Sequence, residues 1–299
     1  MPPGPEAMAD SSDLAILVVT HDSRPHLEAL FRSLAEHAPQ AQVVVVDNAS
    51  ADDSPGLAQQ ICPAATVVRS PENLGFAAGC NLAARQAARP YLLLLNADTV
   101  LLAPLDPALE LLHNRPDAGA IGARMLGRDL EYRFSCGSFP WFHRLVLFSR
   151  LYRRDGAFGR GDFAPGAAPV PVDWVEGSFL LTRSELWSRL GGLDEGYFMY
   201  VEDVDYCRRA ARAGFATLYH PGLAYRHLGG YSPARHNLLV KGFRRFNARH
   251  AGALGSLAAT LVLDAGLVAR LALSGLLSLA SKPGQAAKFT ACLHALLDR

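Results

Sequence analysis

The sequence predicts an α/β fold, a mostly parallel, doubly wound sheet flanked by helices. Apolar, β-branched runs alternate with helix-forming stretches through the N-terminal third of the chain, the order that right-handed strand–helix–strand units produce. Each run stops abruptly at a polar residue, Thr20, Asp47 or Asn96, as strands do when they deliver side chains to the carboxyl rim of an open sheet. The run from Tyr91 to Leu95 carries four consecutive leucines after Pro90. It is too apolar for a strand with one wet face, and Pro90 excludes an ordinary helix interior there.

Leu14 to Thr20 reads as the first strand. Pro25 then opens a helix with an apolar face of Leu27, Leu30, Phe31 and Leu34. Gln42 to Asn48 is a β-branched second strand, and the Ser- and Asp-rich segment from Ala49 to Pro55 supplies caps for the next helix. Thr66 to Arg69 is a short third strand. The glycines of the Asn73–Asn81 segment permit close backbone approach, and a helix is expected over the Ala-rich stretch after Gly79. The leucine strand follows, and ends in Asn96-Ala97-Asp98. An Asp at that rim can hold a divalent cation, and the cation a pyrophosphate. A plain turn is the alternative on those residues alone.

Composition narrows the class. The 299 residues carry 29 Lys and Arg against 28 Asp and Glu, and half are apolar. That describes globular protein rather than a disordered chain or a basic nucleic-acid binder. The five cysteines are scattered without zinc or disulfide spacing, which suits a reducing cytosol. Residues 1–12 read as a tail without the pattern of a secretory signal. No Gly-x-Gly-x-x-Gly follows the first strand, so a nucleotide here is better held by carboxylates and a metal than by a dinucleotide-binding turn.

In order along the chain, Val18-Val19-Thr20-His21-Asp22, Val45-Val46-Asp47-Asn48-Ala49-Ser50, the Asn73–Asn81 segment and Leu94-Leu95-Asn96-Ala97-Asp98 resemble the signatures of family 2 glycosyltransferases of the GT-A fold. The resemblance is to the rhamnosyltransferase-like bacterial subfamily and covers about residues 14 to 245. It implies an inverting, metal-dependent transferase acting on a nucleotide-sugar donor, most readily dTDP-rhamnose, with UDP-hexose, UDP-galactofuranose and GDP-mannose as alternatives. The acceptor it implies is a glycan or a polyprenyl-linked glycan of cell-surface polysaccharide synthesis, at the inner face of the membrane. By the same resemblance Asp98 and His227 would hold Mn²⁺ or Mg²⁺, Asp203 would be the catalytic base and Glu202 its neighbour. Thr20 and Asp47 would bind the nucleoside, with Asn73, Gly75, Asn81 and Asn96 lining the donor side.

Later segments are read from their residues. Val172 to Arg183 is a strand in which Gly177 permits a close backbone approach to a ligand. Glu202, Asp203 and Asp205 open a helix, where acids suit the dipole even without a catalytic role. The aromatic and basic segment from Leu126 to Pro171 suits an acceptor or a membrane surface, or is an ordinary insertion. The basic run 241–250 followed by an apolar stretch to Ala280 has the composition of a membrane-contacting segment. Helices packed back on the domain or joining two copies are the alternative. The expected organisation is a tail over 1–12, a transferase domain over 13–250 and a helical extension over 251–299. Two rivals are a pyrophosphorylase-type nucleotidyltransferase, which wants a Gly-rich basic loop that Thr20-His21-Asp22-Ser23 lacks, and a non-catalytic sugar-nucleotide-binding scaffold.

Overall fold

The computed structural model describes residues 9–145, 167–229 and 236–279, with side chains to Ala272, and Thr290. Residues 146–166 of the loop expected over 126–171, and the chain beyond Leu279 apart from Thr290, lie outside the described residues.

The elements run β1 (Leu14–Thr20), α1 (Arg24–His37), β2 (Gln42–Asn48), α2 (Ser54–Ile61), β3 (Thr66–Ser70), α3 (Gly75–Ala84), β4 (Tyr91–Asn96), β5 (Thr99–Leu101), α4 (Asp106–Asn114) and β6 (Ala118–Leu126). Then come β7 (Tyr132–Arg133), β8 (Cys136–Gly137), α5 (Phe142–Leu145), β9 (Val170–Val172), β10 (Trp174–Val175), β11 (Phe179–Arg183), α6 (Ser184–Leu190), α7 (Glu202–Arg212), β12 (Ala216–His227), α8 (His236–His250) and α9 (Gly252–Leu279). The main sheet has the order β3-β2-β1-β4-β11-β6-β12-β5, with β7 on β6 and β9 on β12.

Strands β3, β2, β1 and β4 are parallel. Next to β4 the direction reverses at β11, which runs antiparallel to both β4 and β6, and it reverses again at the edge, where β5 runs antiparallel to β12. Leu93 and Leu95 pack into one apolar layer with α1, α2 and α4, and Leu92 and Leu94 into the other with α3 and α7. The leucine strand is buried on both faces, which is why its sequence does not alternate.

Two expectations change in detail. Helix α3 begins at Gly75 rather than after Gly79. Gly75 has φ +80°, its N–H bonds the Asn73 side chain, and the Phe76 N–H bonds the Phe198 carbonyl at 2.7 Å, which starts the helix early. The single strand expected over Val172–Arg183 is three short strands. Asp173 and the Glu176–Ser178 stretch break the ladder, and β10 pairs with β8 in a separate two-stranded sheet.

Candidate active site

The site is assembled by strand register. Antiparallel pairing of β12 with β5 sets His227 opposite Thr99, and the Leu228 N–H bonds the Asp98 carbonyl at 2.8 Å. The His227 Nε2 therefore lies 3.1 Å from Asp98 Oδ1 and 3.3 Å from the Asn96 amide nitrogen. On the other side of β4, the Asn96 N–H bonds the Ser178 carbonyl at 3.3 Å, so the loop before β11 reaches the same rim. Residues 131 positions apart in sequence meet there.

The acid pair arrives from α7. Glu202 and Asp203 are its first residues, reached through Tyr200 and Val201 at φ +71° and +75°. Left-handed backbone is a real strain for a β-branched residue. Gly242 of α8 packs so tightly on this turn that a Cβ there would come within 2.7 Å of Val201. Of the three acids, only the first two line the cleft. Asp205 is fully buried on the other side, where His250 (2.7 Å) and Arg209 (2.6 Å) hold it. It is a structural anchor joining α7 to α8.

Asp203 Oδ2 accepts the Gly177 N–H at 2.7 Å, and Oδ1 accepts the Val204 N–H at 2.7 Å. Each oxygen keeps a second lone pair. Glu202 is 4% exposed, and its Oε2 has no hydrogen-bond partner among the described residues. Burial, with the charge of Asp203 next, pushes the Glu202 carboxyl well above the carboxylate range. Burial also raises Asp203, but two N–H donors oppose it. Burial thus disfavours charge on both carboxyls, and only Asp203 has backbone N–H donors that offset it on both oxygens.

A cavity of about 370 Å³ takes in Asn96, Asp98, Glu202, Asp203 and His227. Two further residues in its wall, Glu176 and Arg133, had no assigned role in the sequence reading. Glu176 Oε2 accepts from Ser178 Oγ, which also bonds the buried Tyr225 hydroxyl at 2.7 Å. Burial lifts its carboxyl to about 7. The Arg133 guanidinium bonds the Gly229 carbonyl at 2.6 Å and pairs with Glu131 at 2.7 Å, which offsets part of the positive charge it brings to the wall. The signal that could have found Glu176 is an acid inside an apolar run beside Gly177.

The other predicted donor residues lie elsewhere along the rim. Thr20 is fully buried and donates to Asp47 Oδ1 at 3.1 Å, and Asp47 also holds Ser50. Asn73 caps the Gly75 N–H. Asn81 spends its side-chain amide on the Leu193 backbone, 2.8 and 2.9 Å, and on Glu195. It ties α3 to the turn before α7, and neither it nor Asn73, Gly75, Thr20 or Asp47 borders the cavity.

Asp98 and His227 also suit a cation. Burial pushes Asp98 up, yet the hydrogen bond and charge of His227 outweigh it and the carboxyl ends below its ordinary value. Burial pushes His227 down, and Asp98 brings it back above its usual value. A carboxylate oxygen and an imidazole nitrogen converge in a cleft where Gly229 leaves no room for a side chain, since its Cβ would lie 2.0 Å from Asp98 Oδ2. Among the described residues no three or more His, Cys, Asp or Glu are grouped so as to hold a metal ion; a cation on Asp98 and His227 would take its remaining ligands from oxygen atoms of a bound molecule.

The chain matches the family model described as glycosyl transferase family 2 over residues 15–177. It is 30% identical over 243 residues to an N-acetylglucosaminyl-diphospho-decaprenol L-rhamnosyltransferase of Mycobacterium tuberculosis, covering 74% of this chain and 78% of the relative. It is 28% identical to rhamnosyltransferase WbbL of Escherichia coli, covering 71% of this chain and 82% of that one. Among solved structures it resembles a mannosyltransferase of Pyrobaculum calidifontis in complex with GDP-Man and Mn²⁺, at 20% identity and a TM-score of 0.62 over 99% of this chain and 91% of the other.

Proposed function

The chain belongs to glycosyl transferase family 2 and is a glycosyltransferase of GT-A fold; on that premise we propose that it transfers rhamnose, from dTDP-rhamnose, to a polyprenyl-diphosphate-linked glycan. The donor sugar and acceptor class rest on the rhamnosyltransferases it resembles, one of which is named for an N-acetylglucosaminyl-diphospho-decaprenol acceptor. The observation that carries the chemistry is the meeting of Asp98, His227 and Asp203 in one cavity.

Asp203 accepts the proton of the acceptor hydroxyl as that oxygen bonds to the anomeric carbon. The bond from that carbon to the donor diphosphate breaks, its electron pair leaves with the diphosphate, and configuration inverts. Gly177 and Val204 aim the Asp203 carboxylate, and burial disfavours a second negative charge on Glu202 beside it. Asp98 and His227 would hold Mn²⁺ or Mg²⁺ against the diphosphate, and when bound the cation neutralises charge growing on the leaving group. Arg133 adds a fixed positive charge on the same side. Asp47, with Thr20 and Ser50, is the nucleoside-recognition cluster, and Asn81 positions the wall behind it.

The enzyme works against the cytoplasmic face of a membrane. Helix α9 is apolar and long enough over Gly252–Ala272 to cross a bilayer, and only 17% of its most apolar window is buried. It packs on α8 and α5 along one side, while Leu254, Leu257, Leu261 and Val268 stand exposed on another. That arrangement fits a helix lying in the interface rather than spanning it. Basic residues of α8 contribute less than composition implied, because Arg244 pairs with Asp264, and Arg245 and Arg249 with Asp194.

The test is transfer from a panel of nucleotide sugars to a GlcNAc-diphosphate-polyprenol, with Mn²⁺ and with chelator. Rhamnose transfer that chelator abolishes is expected. Transfer of another sugar, or full activity in chelator, overturns the donor or the cation assignment.

A further inference from the structure

A second cavity, of about 290 Å³, opens between α8, α9 and α5. Its walls are almost wholly apolar: Leu145 from α5, Val240 from α8, and Val262, Leu263 and Leu267 from α9. His236 and Arg270 supply its polar edge. Leu239 and Phe243 belong to both cavities, forming one wall of the catalytic cleft and one wall of the apolar one. The apolar cavity thus adjoins the cleft, with two α8 side chains one helical turn apart as the partition between them. Its far side is α9, whose outer face carries the exposed stripe Leu254, Leu257, Leu261 and Val268.

A donor nucleotide has no use for such a surface, and a free glycan acceptor has none either. An acceptor whose sugar is joined through a diphosphate to an isoprenoid does. Its sugar must reach Asp203, and its first isoprene units must leave the cleft without crossing water. We propose that the α5–α8–α9 cavity is the binding site for the isoprenoid chain of the acceptor next to its diphosphate, reached from the catalytic cleft over Leu239 and Phe243. This rests on the polyprenyl-linked acceptor proposed above. The remainder of the chain would run on along the apolar face of α9 into the bilayer, and burial of its methylene and methyl groups supplies affinity.

Gly266 lines the cavity, and a Cβ there meets nothing within 4 Å, so Gly266→Trp sets a large side chain at the cavity wall without an opening clash, and helix propensity favours any such residue over Gly. GlcNAc-diphosphate acceptors with a methyl and with a decaprenyl tail are compared in kcat/KM, in detergent, for the full chain and Gly266→Trp. The expected result is a preference for the decaprenyl tail that Gly266→Trp lowers about tenfold through KM, equivalent to about 1.4 kcal/mol. Circular-dichroism melting checks that the variant is folded. A folded Gly266→Trp with the wild-type tail preference overturns the assignment. So does a change in sedimentation instead of tail preference, which would make the cavity a contact between copies. No transfer to either acceptor overturns the polyprenyl reading itself, and the cavity assignment with it.

Discussion

The backbone N–H of Gly177 and the Oδ2 of Asp203 are joined by a 2.7 Å hydrogen bond across 26 residues of sequence. A Cβ on Gly177 would come within 3.0 Å of Phe76 and 3.5 Å of Asp203, so only glycine gives this close an approach. The bond holds the carboxylate at the cleft and favours its charged form.

Asp203→Asn removes the base and leaves one side-chain oxygen for the two N–H groups of Gly177 and Val204. Turnover is expected to fall about a hundred- to ten-thousandfold, with donor affinity retained and the melting temperature lowered by the lost bond. Steady-state kinetics with donor-binding calorimetry check this. Unchanged turnover would remove Asp203 from the mechanism.

Glu176 and Glu202 are held above their unfolded value of 4.5, Glu176 at about 7. A carboxyl raised in the folded state binds its proton more tightly there, so the folded state loses stability as pH rises above that unfolded value, through about 7 for Glu176 and through its own raised value for Glu202. Glu176→Gln and Glu202→Gln are expected to flatten this decline. Melting temperature across pH for the three proteins is the measurement, and an unaltered slope in both variants would contradict the burial argument.

Asp205 responds in the opposite sense. Burial raises it, but His250 and Arg209 bring its carboxyl below the usual value. The stability it contributes is present above its unfolded pKa and lost as pH falls through the lower folded one. Asp205→Asn is expected to cost about 3 kcal/mol, the scale for breaking a buried ion pair, and to make α8 easier to undock. Denaturant melts at neutral pH and amide exchange in α8 would read this.

Asp98→Ala and His227→Ala should each weaken divalent-cation dependence by at least about tenfold, the loss that removing even an outer-shell partner of a metal site typically causes. The half-saturating Mn²⁺ concentration for donor turnover is the readout. Wild-type cation response in both variants would remove them as ligands.

Much of this protein was legible in its residues because burial leaves a local trace. Strands covered on both faces show as unbroken apolar runs, as Leu92 to Leu95 do, and the helix facing them shows Leu27, Leu30, Phe31 and Leu34 at helical spacing. Polar residues that end such runs, Thr20, Asp47 and Asn96, therefore marked the rim before any coordinates. Composition and periodicity could not rank Glu202, Asp203 and Asp205, all plausible helix-opening acids; resemblance to a family chose Asp203, and only the packing of His250 and Arg209 on Asp205 separates anchor from cleft. Arg133 carried no signal, and Glu176 only that of an acid beside Gly177, because a residue joins this site through sheet order rather than chain order. The reversed strand β11, inserted between β4 and β6, brings Glu176 to the rim, and the pairing of β12 with β5 brings His227 to Asp98. Strand pattern is a property of neighbours in sequence, whereas which strands become neighbours is decided by long-range hydrogen bonding and core packing, and that is where the catalytic cleft was made.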